Sequence, residues 1–389
     1  MTMELPAIAR IAAALVAALL ISFIATPVVK SIAQMVGAVD VPKDNRRMHN
    51  HPIPRMGGLA IFLGFLLSTL IFVPMSSSMR GMLLGGVIIV ILGIFDDIYA
   101  LPALPKLLVQ IAAALVAVLH GNVIQVLSNP NIFSENPYWT LGSLAVPLSV
   151  IWIVAITNAV NLIDGLDGLA VGGATISSLT MLVIAMLVSE NVVALMMAAL
   201  AGGCIGFMPY NLNPAKIFMG DTGSTFLGFV LATVSIQGLF KFYTIISFAV
   251  PFLMLGLPLF DTCFAILRRL AKGQSPMAPD RSHVHHRLID MGFNQKQAVA
   301  ILYVISAILG LSAVVLTTSG ALKAMVLLCA LCLAGLISGK IFLSHNENHQ
   351  EKTKEKESND HAIESHDDLR DPPGGGEDGP SGKGTGEQS

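Results

Sequence analysis

AIARIAAALVAALLISFIATPVV, residues 7–29, holds a single charge, Arg10, in 23 positions. A helix rises about 1.5 Å per residue, so a run of this length crosses a hydrocarbon core of about 30 Å. Ten further apolar runs follow, near 57–75, 81–95, 106–120, 144–160, 169–188, 192–210, 222–240, 243–267, 298–317 and 322–343. Strands of a membrane barrel would alternate over about ten residues, and these runs do not. The chain is 54% hydrophobic and only 12% charged, about half the charge of an average soluble domain. A cytosolic enzyme and a secreted disulfide scaffold are excluded. The sequence predicts an all-α polytopic membrane protein of about eleven helices, its first run an uncleaved span rather than a signal peptide.

Charge divides the chain in two. Residues 344–389 carry 12 acids and 5 bases, which leaves 13 acids and 18 bases for residues 1–343. The tail has no Phe, Tyr or Trp, so it buries too little apolar surface to offset chain entropy and reads as a disordered acidic segment. Residues 1–343 read as one multi-span transmembrane domain. Cys204, Cys263, Cys329 and Cys332 all lie in apolar runs and read as small buried side chains, since the C-x-x-C pair lacks further zinc ligands.

Lys and Arg set the orientation. One set of short loops carries thirteen, among them Lys43, Arg46, Arg47, Arg55, Lys106, Arg281 and Arg287; the opposite set carries four. The richer set is placed in the cytoplasm, with the N-terminus outside and the tail inside. Acids follow no such rule, yet all ten aspartates before the tail fall at that same face: Asp40, Asp44, Asp96, Asp97, Asp164, Asp167, Asp221, Asp261, Asp280 and Asp290. Short carboxylates are ligands for hard cations, so the pattern predicts one polar active site there.

Four stretches supply its parts. In GIFDDIYALPALPK (93–106) the adjacent Asp96 and Asp97 repel each other, which suits one of them to act as a general base; polar residues at a helix end would look the same. In TNAVNLIDGLDGLAVGG (157–173), Asn158, Asn161, Asp164 and Asp167 recur every three residues, a spacing that stacks them along one face of a helical turn. In YNLNPAKIFMGDTGSTFLGF (210–229), Asp221 starts a span behind Pro214 and Gly220, where free N–H groups favour anions. Asp221 there would hold magnesium or act as an ordinary N-cap, and Phe218 would offer a base-stacking platform. In PDRSHVHHRLIDMGF (279–293), Arg281, His283, His285, His286 and Arg287 suit pyrophosphate better than zinc, because no acidic or cysteine partner lies at zinc-site spacing. The loop DVPKDNRRMHNHPIPRMGGLAIF (40–62) adds bases that bind phosphate or merely obey topology. Asp261, inside a span, is either functional or paired with Arg268.

In this order the motifs resemble the polyprenyl-phosphate N-acetylhexosamine-1-phosphate transferases, over residues 27 to 317. That resemblance implies transfer of a sugar 1-phosphate from a UDP-amino sugar to undecaprenyl phosphate at the bilayer surface, with magnesium (manganese as its alternative) and release of UMP. The loops around 40–62 and 279–293 are similar to the branch that uses UDP-N-acetylglucosamine (TagO- and WecA-type). The peptidoglycan branch (MraY-type) has three consecutive histidines where Val284 intervenes here. Carried over by motif position, Asn161 and Asp221 would hold the metal, and Asp167 and Phe218 would contact uridine beside Asn211 and Asp164. Arg281, His283, His285 and His286 would contact diphosphate or sugar, and Asp96, Asp97 and Asp164 would carry the catalytic acids. No nucleic-acid partner is expected, and a homodimer is left open. Two rivals fit less well. A transporter would place its acids near the midplane, and a CDP-alcohol phosphotransferase needs an arginine after Asp167 and Gly168 that is absent.

Overall fold

The computed structural model describes residues 5–41, 52–128, 136, 138–238, 246–271, 273 and 283–317. Twelve α-helices are formed by these residues: α1 Leu5–Met35, α2 Gly58–Phe72, α3 Ser77–Tyr99, α4 Ala103–Leu119, α5 Ala145–Ile163, α6 Leu169–Leu187, α7 Asn191–Asn211, α8 Gly220–Gly238, α9 Ile246–Met254, α10 Gly256–Ala271, α11 Val284–Asp290 and α12 Gln295–Thr317. Two antiparallel ribbons join them, β1 Val39–Asp40 with β2 Ile53–Pro54, and β3 Val126–Ser128 with β4 Tyr138–Thr140.

The architecture is that of an all-α polytopic membrane protein, and burial says why. α8 is the central post: from Thr222 to Gly238 every residue is buried. α2, α3 and α5 pack on it, and a second layer is built from α1, α6, α7 and α12. Large apolar side chains instead line the outside, for instance Ile24 on α1, Leu84 on α3, Ile151 on α5 and Phe264 on α10. Apolar surface on both sides of a helical shell is what a hydrocarbon solvent permits and water does not.

Close approach to α8 depends on missing side chains. A Cβ at Gly58 of α2 would collide with Gly223, and one at Gly93 of α3 with Thr222. Small residues at helix crossings are how membrane helices gain contact where no hydrophobic force drives association. These contacts draw the ends of α2, α3 and α8 together at one face.

Six described helices are long and apolar enough to cross a membrane by themselves: Pro6–Met35, Ser77–Tyr99, Gly142–Ile163, Leu169–Leu187, Asn191–Asn211 and Gln295–Thr317. α2 and α4 are shorter apolar helices of 15 and 17 residues. The expected single run at 243–267 is divided, with α9 ending at Met254 and α10 beginning at Gly256. Pro258 accounts for the break, because it has no N–H for the Met254 carbonyl, which accepts the Ser177 hydroxyl at 2.9 Å instead. The helix α11 and the two ribbons have no counterpart in the apolar pattern. The expected span at 322–343, Cys329, Cys332 and the tail 344–389 lie outside the described residues.

Candidate active site

Asp96 and Asp97 end α3 with both carboxylates buried, and their partners differ. Asp97 Oδ1 accepts the backbone N–H of Asp221 at 2.9 Å. Its Oδ2 accepts the N–H of Thr222 at 3.1 Å and the Thr222 hydroxyl at 2.7 Å. A side chain of α3 thus caps α8, satisfying N–H groups that a helix start leaves free. Arg55 Nε stands 3.8 Å from Asp97 Oδ1. Asp96 Oδ1 accepts the N–H of Leu101 at 2.7 Å, which fixes the turn into α4. Its Oδ2 accepts Lys106 Nζ at 2.7 Å, and the same ammonium reaches Asp221 Oδ2 at 3.3 Å.

With its backbone fixed by Asp97, Asp221 keeps a carboxylate that is 24% exposed. On the facing helix, Asn161 donates its amide N–H to Ser224 Oγ at 2.8 Å, so its carbonyl oxygen is the group left to accept. Asn158, one turn earlier, is tied to Gln110 at 2.6 Å and does not line the cleft.

The expectation that Asp164 and Asp167 continue this helical face is corrected. α5 ends at Ile163, and both acids lie on the turn before α6, where Gly168 has φ of +81°. Asp167 Oδ2 accepts the N–H of Ala215 and the amide of Asn213, each at 3.0 Å. Asn211 closes the same corner, accepting from Gly168 N–H at 3.2 Å and donating to the Ile217 carbonyl at 3.1 Å. Burial, followed by the charges of Asp221, Asp97 and Asp167, pushes the Asp164 carboxyl up to about 8 against the opposing pull of Arg55.

Phe218 is held by its backbone, which bonds to Pro54 O at 2.8 Å and to Gly57 N–H at 2.9 Å. On the last wall, Asp261 of α10 accepts His283 Nδ1 at 2.8 Å and the N–H of Val284 at 2.9 Å. It pairs with His283 rather than with Arg268. Burial drives the His285 ring down to about 4, with its histidine neighbours adding to that effect. His285 packs on Gly165 and its buried Nδ1 has no hydrogen-bond partner among the described residues, while His286 lies against it with centroids 4.2 Å apart.

These elements enclose a cleft of about 330 Å³. Of the expected site residues, Asn161, Asp164, Asp167, Asn211, Phe218, Asp221 and His286 line it. Asp96 and Asp97 lie beneath it as supports, and His283 and His285 are buried behind its wall. Arg281, Lys43, Arg46 and Arg47 fall outside the described residues, and Asp290 is exposed at the end of α11. Two contributors were missed as site residues, Lys106, read only as a topology base, and Gln295 on the cleft wall; Asp40, counted only among the aspartates of that face, lines it too. Among the described residues, no three His, Cys, Asp or Glu side chains gather as a metal cage. Asp221 and Asn161 offer only part of a coordination shell, an arrangement suited to a cation that keeps water and phosphate oxygens.

Residues 79–239 match the family model described as glycosyl transferase family 4. The chain is 43% identical over 311 residues to the probable undecaprenyl-phosphate N-acetylglucosaminyl 1-phosphate transferase of Bacillus subtilis (strain 168), covering 80% of this chain and 86% of that protein. It is 35% identical over 314 residues to the decaprenyl-phosphate N-acetylglucosaminephosphotransferase of Mycobacterium tuberculosis (strain CDC 1551 / Oshkosh), covering 74% and 77%. With the phospho-N-acetylmuramoyl-pentapeptide-transferase of Staphylococcus aureus (strain JH9) it shares 29% identity over 317 residues, covering 76% and 95%.

Proposed function

Because this chain belongs to glycosyl transferase family 4, we propose that it transfers N-acetylglucosamine 1-phosphate from UDP-N-acetylglucosamine to undecaprenyl phosphate, yielding a lipid diphosphate sugar and UMP. The observation that carries this reading is the Asp221 carboxylate, open to the cleft at the start of α8 and bridged to Asp96 by Lys106. Phosphoryl transfer needs positioning and charge neutralisation more than covalent chemistry. The Lys106 ammonium and the Arg55 guanidinium beside one cleft supply the positive charge.

In this reading Asp221 and Asn161 hold magnesium, with manganese as a substitute. When bound, the ion neutralises the donor diphosphate and makes its β-phosphorus more electrophilic. Asp97 sets the backbone of Asp221, and Lys106 and Arg55 offer positive charge to phosphate oxygens. Asp167 and Phe218 receive the uridine end, and His286, backed by the buried His283 and His285, stands toward the sugar and diphosphate. Asp96 shares the ammonium of Lys106, so the lipid phosphate would be steered by that cation toward the donor. The cleft is placed at the cytoplasmic face, with the N-terminus outside, following the distribution of Lys and Arg. Val284 between His283 and His285 favours the N-acetylglucosamine branch over the pentapeptide one. The product would begin a cell-envelope glycopolymer, with teichoic acid linkage units as one example.

The test is direct. Purified full-length protein given UDP-N-acetylglucosamine, undecaprenyl phosphate and magnesium should release UMP and form a lipid-linked sugar. Product only with UDP-MurNAc-pentapeptide would move the chain to the other branch, and product with neither donor would overturn the reading.

A further inference from the structure

Gln295 opens α12 and lines the cleft with Asp167 and Phe218. Its Oε1 accepts Asn213 Nδ2 at 2.7 Å, and that same Nδ2 donates to Asp167 Oδ2 at 3.0 Å. Chemistry fixes both amides in this chain. A carboxylate only accepts, so Asn213 must present its NH₂ group to Asp167. The NH₂ group then requires the oxygen of Gln295, which turns Gln295 Nε2 away from Asn213. Among the described residues Nε2 has no acceptor, and Asp167 Oδ1 has no donor.

Two residues of the cleft lining thus keep one unused donor and one unused acceptor, joined through one Asn213 nitrogen. We infer that Gln295 is a nucleobase-specificity residue, completing with Asp167 a recognition pair for the imide edge of a uracil-type base. On that edge a ring N–H donates to Asp167 Oδ1 and the adjacent carbonyl accepts from Gln295 Nε2. A cytosine-type base carries the reverse order there, a ring-nitrogen acceptor beside an amine donor. It would set lone pair against carboxylate and amine against amine, leaving polar groups unpaired beneath the base that covers them. Phe218 supplies only a face, which every base can stack on, so discrimination falls to the polar pair. The inference rests on the donor being a uridine diphosphate sugar.

The measurement is equilibrium binding of UDP and of CDP to the full chain with magnesium present, which needs no turnover. The native protein should bind UDP about tenfold tighter than CDP or better, the scale set by a mismatched polar pair. Gln295→Glu, which puts an acceptor where the donor stood, should weaken UDP about tenfold and narrow the UDP-to-CDP ratio. Gln295→Leu, with neither group, should weaken UDP and leave CDP unchanged. KM for UDP-N-acetylglucosamine should rise in step while kcat holds, a split that general loosening of α12 would not give. Equal native affinity for UDP and CDP would overturn the inference, and so would variants that keep the native ratio. Failure of the broader reading looks different, since the native chain would then turn over no UDP-N-acetylglucosamine at all.

Discussion

Asp97 Oδ1 receives the backbone N–H of Asp221 at 2.9 Å, so one acid of the cluster holds another by its main chain and leaves the second side chain open. The two carboxylates are chemically alike but serve different ends, with the Asp97 side chain 0% exposed and that of Asp221 24% exposed. Asp97→Ala would orphan two backbone N–H groups and the Thr222 hydroxyl, at a cost of about 3 kcal/mol or more. Its melting temperature and its turnover should fall together. Asp221→Ala leaves the Asp97 cap on the α8 backbone intact, so turnover should vanish while the melting temperature falls less than in Asp97→Ala. Thermal unfolding in detergent, paired with UMP release, separates the two. An Asp97→Ala protein as stable as the native one would remove the cap from the account.

Gly220 sits between these acids with φ of +71°. A Cβ there would press on the Asp97 carboxylate, so Gly220→Ala is expected to combine left-handed strain of about 1–2 kcal/mol with displacement of the cap. Gly121 is a fitting control. Its φ is +104° and nothing lies within 4 Å of its added Cβ. Gly121→Ala should lose stability by strain alone and keep native turnover, whereas Gly220→Ala should lose at least about tenfold in kcat as well. Equal turnover in the two variants would show that the start of α8 tolerates movement.

How much of this was legible before folding depends on the range of each interaction. Helices α1 to α8 follow the apolar runs closely, because a span must be apolar along its whole length whatever it packs against. Among the described residues Asp40, Asp96, Asp97, Asp164, Asp167 and Asp221 also gather at one face, as their positions at the ends of those runs imply. Roles within the cluster were not legible. Nothing near Asp97 says that its partner lies 124 residues later, and Asp164 left the helix because Gly165 and Gly168 allow a turn where spacing alone suggests continuation. The acid missing from the His-x-His-His pattern is Asp261, supplied by α10 from 22 residues away. Lys106 and Gln295 were hidden for another reason: a base and a glutamine, each in the first turn of a helix, carry no signal until the fold sets them beside Asp221 and Asp167.

His285 gives the site a pH dependence of defined sign. Its ring, held down to about 4 by burial and by the neighbouring histidines, stays neutral in the fold, while in the unfolded chain it takes up a proton near 6.5. Between those values the unfolded state binds more protons, so stability is present above about 6.5 and is lost as pH falls toward 4. The contribution at stake is on the order of a few kcal/mol. Melting temperatures recorded from pH 7 to pH 4 should fall less steeply for His285→Gln than for the native protein. A steeper fall in the variant would contradict a buried neutral ring.

Lys106 Nζ lies 2.7 Å from Asp96 and 3.3 Å from Asp221, and it is the ammonium that lets two carboxylates share one corner. Replacing it with glutamine leaves a pair of negative groups where a phosphate must approach. Turnover should fall about 100-fold, the scale seen when one preorganised charge partner is removed from a transition state. The magnesium requirement should move the other way. A carboxylate pair without its ammonium attracts a divalent cation more strongly, so half-saturation should come at a lower magnesium concentration. Lys106→Arg keeps the charge and should retain more turnover than Lys106→Gln, though less than the native chain because a planar fork replaces a compact ammonium. Initial rates across a magnesium titration measure both effects at once. If Lys106→Gln kept native rates and an unchanged magnesium midpoint, Lys106 would be a solvated base that merely marks the topology, and the charge arrangement around Asp221 would need another cation.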